Sequence, residues 1–218
     1  MPCSTSLDIL NEHASSRLEC QHESIRGPAD HDEIASGLDH ARDKTYAGVR
    51  LLQAAYHGRS LALYATLGFQ PREAIACMQG PGVGVLATGY EVRRAQETDL
   101  EACDRVCRFV HGHDRSGEVL DAIKQGTASV VEHEGRITGY ATDLAFFAHA
   151  VGETNCDLMA LIGAASAFGG PGILVPLSNF PLFQWCLSHR LQVVQVMTLM
   201  TIGLYNEPAG AYLPSVIY

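Results

Sequence analysis

The segment His57-Gly58-Arg59-Ser60-Leu61-Ala62-Leu63-Tyr64-Ala65-Thr66-Leu67-Gly68-Phe69 constrains the fold more than any other stretch of the chain. Leu61, Tyr64 and Leu67 recur at helical spacing, and Gly68 supplies the conformational freedom that ends a helix. An apolar run lies on each side. Gly48 introduces Val49-Arg50-Leu51-Leu52-Gln53-Ala54-Ala55, and Glu73 to Gln79 follows; both read as strands. A helix this short is marginal in water by itself, so its apolar stripe must lie on a sheet. Strand, helix, strand is the rhythm of an α/β fold.

The residues before this unit extend it in one direction only. From Asp32 to Lys44 the apolar positions Ile34, Leu38 and Ala41 predict a further helix, whereas residues 1 to 31 are polar, rich in Ser, His and Glu, and expected to be poorly structured or loosely packed. They are too few to supply the strands and helices that would complete a domain ahead of Asp32. Residues 32–80 therefore read as a partial, half-domain copy. Its sheet edge invites association, either with the rest of the chain or with a second copy in a homodimer.

Gly80-Pro81-Gly82-Val83-Gly84 follows a strand but opens no helix, so residues 81–89 read as a Gly-rich linker rather than a phosphate loop. Residues 90–218 carry the fuller set of elements. Tyr90 to Ala95 is a strand; Thr98 caps a helix through Leu100, Cys103, Cys107 and Val110; Val119, Leu120 and Ile123 mark another. Ala128 to Glu132 and Arg136 to Phe146 form a hairpin turned at Glu134-Gly135. Thr154 or Asn155 caps a helix through Leu158, Leu161, Ile162 and Ala165. Ile173-Leu174-Val175 is a short strand, Leu182 to Leu187 a helix and Gln192 to Ile202 a long strand. Pro214 confines Ala211 to Tyr218 to a sheet edge or bulge.

This order, with the opening segment, resembles the GNAT superfamily of acyl-CoA-dependent N-acetyltransferases. Residues 57 to 69 match the family's helix pattern Asn/His-x-Arg-(Ser/Ala)-x-x-x-Tyr-x-x-x-Gly-Phe, with His57 where Asn is commoner. The resemblance implies a GNAT-like mixed sheet flanked by helices, α/β (α+β) in class, arranged as in tandem members: a partial N-terminal copy and a fuller C-terminal one. A weak internal repeat agrees. A shift of 122 residues carries Leu51-Leu52 onto Ile173-Leu174, His57 onto Asn179, Tyr64 onto Cys186 and Phe69 onto Leu191.

By that resemblance the chain moves an acyl group from acetyl-CoA to a small-molecule amine that the sequence does not identify. The attack needs an oxyanion donor, and the departing thiolate needs a proton. Tyr64 is the catalytic residue the family pattern implies for that proton. His57, Arg59 and Ser60 are the cofactor-binding residues. On the residues alone, Tyr64 reads equally as a core tyrosine on the helix's apolar stripe. The alternative is a catalytically inactive remnant acting as a binding or structural module.

That alternative draws on the helix starts. The family holds the CoA pyrophosphate at a helix N-terminus preceded by Gln/Arg-x-x-Gly-x-Gly/Ala, where open N–H groups and the helix dipole attract an anion. The corresponding segments here are Arg26-Gly27-Pro28-Ala29-Asp30-His31-Asp32-Glu33 and His149-Ala150-Val151-Gly152-Glu153-Thr154-Asn155-Cys156-Asp157. Both are acidic and poor in glycine. Carboxylates there occupy the N–H groups and repel the ligand.

Charge and composition limit the other function classes. A net charge of −9, with 15 Lys and Arg scattered among 24 Asp and Glu, argues against nucleic acid and anionic membrane surfaces as partners. No apolar run reaches the roughly 18 residues of a membrane span, and the N-terminus lacks a secretion signal, so a cytoplasmic setting is expected. Seven cysteines fit reduced thiols. Cys103 and Cys107 read as core residues rather than a metal or redox pair, and His111 and His113 as a solvated helix end; no metal site is expected.

Overall fold

The computed structural model describes residues 6–10 and 28–216. Two compact units emerge. The first comprises residues up to Ile75 together with Gln195–Tyr205; the second comprises Ala76–Val194 and Asn206–Ser215. Among the described residues no helix is long and apolar enough to cross a membrane.

In the first unit, β1 (Ser6–Leu10), α1 (Pro28–Asp43), β2 (Gly48–Ala54) and α2 (Gly58–Thr66) precede β3 (Gln70–Gln79), whose later half enters the second unit. Residues 1–31, expected to lack regular structure, thus contribute a strand at 6–10 and the first turn of α1; residues 11–27 lie outside the described part. The strand order is β1-β2-β9-β3, where β9 (Gln192–Gly203) comes from near the end of the chain. β9 runs antiparallel to β2 in register from Gly48 opposite Gly203 to Ala54 opposite Met197. The open edge implied by a half-domain is therefore covered on β2 by β1 and β9. Tight glycines fix this register: a Cβ on Gly48 would stand 2.6 Å from the Leu204 oxygen.

Alternation along β2 determines which side chains meet the helices. Val49, Leu51 and their cross-strand neighbours Ile202 and Met200 pack with Leu38 and Ala41 of α1 and with Leu61, Tyr64 and Phe69 of the α2 region. Burying one face of β2 under two helices removes enough apolar surface from water to order this small unit.

The second unit holds the remaining elements. A sheet of order β10-β7-β6-β5-β4 is built from β4 (Tyr90–Arg94), β5 (Ser129–His133), β6 (Arg136–Ala141), β7 (Ala150–Gly152) and β10 (Ala211–Leu213), each neighbouring pair antiparallel. α3 (Leu100–His111), α4 (Ser116–Gln125) and α5 (Asn155–Ala164) flank it, and β8 (Ile173–Pro176) lies beside β3. The β5–β6 turn has Glu134 at φ 52° and Gly135 at φ 75°, the left-handed pair that suits a two-residue hairpin. As expected from Pro214, β10 is short and lies at a sheet edge. The Gly-rich stretch before β4 is packed: the Val85 N–H donates to the Gly163 carbonyl at 3.0 Å.

The repeat is sharper in the structure than in the sequence. The 122-residue shift carries α2, Gly58–Thr66, onto α6 (Phe180–Ser188), end for end. Tyr64 and its counterpart Cys186 are both buried, as are Phe69 and Leu191.

Two expectations are corrected here. The strand read from Arg136 to Phe146 stops at Ala141, and an unforeseen strand, β7, begins at Ala150. Thr142 closes the intervening loop, its N–H donating to the His149 carbonyl at 2.9 Å. Nor does Thr98 cap the helix after β4. A 3-10 turn, Glu97–Asp99, leads into α3 and contains Thr98; its cap is Gln96, whose N–H donates to the Asp99 carboxylate at 2.8 Å, and Arg93 holds that carboxylate with two further bonds. The bonds are reciprocal: the Gln96 side chain accepts from the Asp99 N–H while the clamped Asp99 carboxylate accepts from the Gln96 N–H.

Glycine substitutions in the second unit separate strain from mere exposure. Gly172 has φ 119°, and an added Cβ would stand 2.0 Å from the Met78 oxygen. Gly172→Ala should lower stability by roughly 2 kcal/mol or more in urea unfolding. Gly117, on α4 with open space around its Cβ position, should gain a few tenths to about 1 kcal/mol as Ala.

Candidate functional site

The start of α2 brings together three of the four residues singled out from the sequence. His57 is the N-cap; its N–H donates to Ala54 and its carbonyl accepts from Leu61. No side chain caps this helix, and its first turn holds no carboxylate. The first N–H groups of a helix have no partner within it, and the dipole makes the end attractive to anions. His57 and Arg59 are exposed at that end, the His57 ring tilted against Tyr56 with centroids 4.4 Å apart, while Ser60 faces inward and is buried.

Tyr64 lies one turn further along the buried face. It is 2% exposed and meets Phe69 edge to face at 5.8 Å. The structure thus places the catalytic candidate in the core of the first unit, one helical turn from the other three.

One neighbour escaped the sequence reading. Gln53 follows Leu51 on the same face of β2, is 1% exposed, and neither its amide nitrogen nor its amide oxygen has a hydrogen-bond partner among the described residues. The only signal was a single amide side chain near the end of an apolar strand.

The corresponding region of the second unit is closed. Thr154 caps α5, and its N–H and hydroxyl each donate to the Asp157 carboxylate at 2.8 Å; the Thr138 hydroxyl donates to the other oxygen. Asn155, in the first turn of α5, and Asn179, the N-cap of α6, exchange reciprocal amide bonds of 2.9 and 2.7 Å. Glu153 is held by Arg136. The acidic helix start expected from the sequence therefore meets its own donors, and a buried carboxylate stands where an anion would sit. A shallow open concavity of about 310 Å³ in this unit is lined by Glu91, Glu132 and Glu134 with Tyr90. The other acidic segment, Arg26 to Glu33, has its side chains outside the described part.

A buried polar chain in the second unit was also missed. Arg115 donates twice to Glu118, at 3.2 and 2.6 Å; Glu118 lies 3.3 Å from His149 Nδ1; and His149 Nε2 lies 2.9 Å from the Tyr140 hydroxyl. These contacts fit a neutral imidazole donating through Nδ1 and accepting from Tyr140. Burial, reinforced by Arg115, holds the His149 pKa down at about 4. Burial opposes ionisation of Glu118, but Arg115 outweighs it and keeps the carboxyl below its usual range. Above pH 4 the imidazole is uncharged, so Arg115 carries that pairing.

The thiols behave as core residues. Cys103 and Cys107 are fully buried, and burial pushes the Cys103 pKa up to about 12. His111 differs from expectation: it is 2% exposed, packed edge to face on Tyr212 and stacked with His113. The apolar seat offered by Tyr212, about a hundred residues away in sequence, draws this helix end inward.

No protein-family model and no curated protein sequence matches the chain. Solved structures do resemble its fold. A protein from Pyrococcus horikoshii, provisionally assigned as an acetyltransferase, superposes with a TM-score of 0.65 at 15% identity over 86% of this chain and 66% of its own. A GCN5-related N-acetyltransferase from Sphaerobacter thermophilus gives a TM-score of 0.51 at 13% identity, over 85% of this chain and 72% of its own. The chain spans just under two thirds of the Pyrococcus protein's length.

The His149 chain gives the second unit an acid-sensitive element. Between about pH 4 and 6.5 the unfolded histidine binds a proton that the folded one refuses, so stability falls as pH drops through this window, by up to about 3 kcal/mol. Thermal melts from pH 7 to 4.5 should show that loss in the native protein. In His149→Phe, less stable throughout, the slope should flatten; an unchanged slope would remove His149 as its cause.

Proposed function

With a GNAT-type acetyltransferase fold as the premise, we propose that this chain transfers an acyl group from acetyl-CoA to a small-molecule amine, and that its first unit holds the donor. The observation carrying this reading is the contrast between equivalent helix starts. Neither helix has a side-chain cap bond or an acid in its first turn, but α6 begins with a proline in that turn and with Asn179 tied to Asn155, whereas α2 begins with the exposed His57 and Arg59. Free N–H groups and the exposed Arg59 cation suit an anionic donor. The residues present fit such a group at α2 and not at α5.

On this reading His57, Arg59 and Ser60 hold the donor at the helix start, and Tyr64 delivers a proton to the departing thiolate from one turn below. Its burial shields the hydroxyl from bulk water. A cytoplasmic setting goes with it, since all five described cysteines are free thiols.

A second reading, a remnant without catalysis that acts as a binding or structural module, is favoured by one observation: Tyr64 and Cys186 occupy equivalent buried positions, where packing alone accounts for both.

Calorimetry with acetyl-CoA separates the two. Binding at millimolar ligand, with a matching rise in melting temperature, is expected. Silence in both measurements would end the enzyme reading. With a suitable amine, Tyr64→Phe should lower kcat by about a hundredfold or more while leaving affinity nearly unchanged. Equal loss of both would recast Tyr64 as packing.

A further inference from the structure

We infer that Gln53 is a ligand-binding residue that reads an amide group, and that the group it reads is in the pantetheine arm of the acyl donor; the choice of donor rests on the function proposed above. Gln53 is almost fully buried, and both ends of its amide lack hydrogen-bond partners among the described residues. Leaving a buried donor and a buried acceptor unsatisfied together is costly, so such a residue calls for an explanation outside the apo fold.

Its position supplies one. Val49, Leu51 and Gln53 share a face of β2, and the first two pack against Tyr64 and the helices. Gln53 is the next residue toward the carboxyl end of the strand. Gln53 is the penultimate residue of β2, and four residues on His57 opens α2, whose Leu61 and Tyr64 pack with Val49 and Leu51. Across the sheet Gln53 is paired with Thr198, which is only half-buried, so the apolar stripe ends in a polar pair. The orphan amide and the uncapped helix start thus lie four residues apart in the chain, across the turn that leaves β2.

A side-chain amide offers one donor direction and one acceptor direction in a fixed plane. Its best complement is another amide, whose C=O accepts while its N–H donates. The second unit shows this pairing between Asn155 and Asn179. An acyl-CoA places an anionic end and an amide-bearing arm on one molecule, which matches an open helix start beside an orphan amide.

The test measures binding and stability together, with acetyl-CoA and with acetyl-pantetheine, which keeps the amide arm and lacks the nucleotide. Gln53→Leu and the longer Gln53→Met remove the amide while preserving apolar volume, so at least one should fold. The inference expects acetyl-pantetheine affinity to fall about tenfold or more in these variants, while the apo melting temperature stays level or rises because an unsatisfied group has gone. A raised melting temperature with unchanged affinity would make Gln53 a buried flaw or a water site and overturn the inference, as would failure of acetyl-pantetheine to bind the native protein. Gln53-dependent binding of acetyl-pantetheine without binding of acetyl-CoA would leave the inference standing and overturn the donor named above.

Discussion

The antiparallel ladder between β2 and β9 is the interaction on which the first unit depends. Without it, β2 and β3 would be separated strands under two helices, with half their backbone groups unpaired. Seven consecutive residue pairs join Gly48–Ala54 to a strand supplied from far along the chain. That ladder aligns Leu51 with Met200 and Gln53 with Thr198, and so builds both the apolar stripe beneath Tyr64 and its polar end. Glycine at both ends of the first pair allows the close approach: Cβ atoms on Gly48 and Gly203 would each meet a backbone oxygen at 2.6 Å.

The two repeats resolve the same local problem differently. Each has a strand, a nine-residue helix and a strand, with helix ends that superpose under one shift. In the second, the polar groups at the helix starts satisfy one another through Asn155, Asn179, Thr154 and Asp157. In the first, the helix start carries the exposed His57 and Arg59, and the amide at the end of β2 is unmet among the described residues. Two fully satisfied ends would be more stable, so the unspent hydrogen-bonding capacity of the first repeat is where a ligand has something to gain.

Much of the fold was legible because it is written locally. The helix at residues 57 to 69 carries its own stripe and stop signal, the Glu134-Gly135 turn its own left-handed pair, and the acidic start of α5 its own cap. What was missed depends on distant partners. β7 exists because β6 and β10 flank it, and His111 is buried because Tyr212 covers it. Gln96 caps the turn before α3 through Asp99, which Arg93 of the preceding strand clamps. Gln53 looked like one polar residue in a strand; only the folded unit shows that no described residue answers its amide. The buried chain from Arg115 to Tyr140 likewise joins one helix and its cap, a strand and a loop, which no spacing rule connects.

The ladder to β9 also has a temporal meaning. β2 leaves the ribosome about 150 residues before the strand that completes its sheet. Domains generally fold in the order of synthesis, but here the earlier-made unit waits for the later one, and its nascent form carries an apolar face and an open edge. Contacts this remote in sequence also slow folding through the entropy of closing so long a loop. The N-terminal unit is therefore the last to become native, and removing residues near the C-terminus would unmake the opposite end of the protein first.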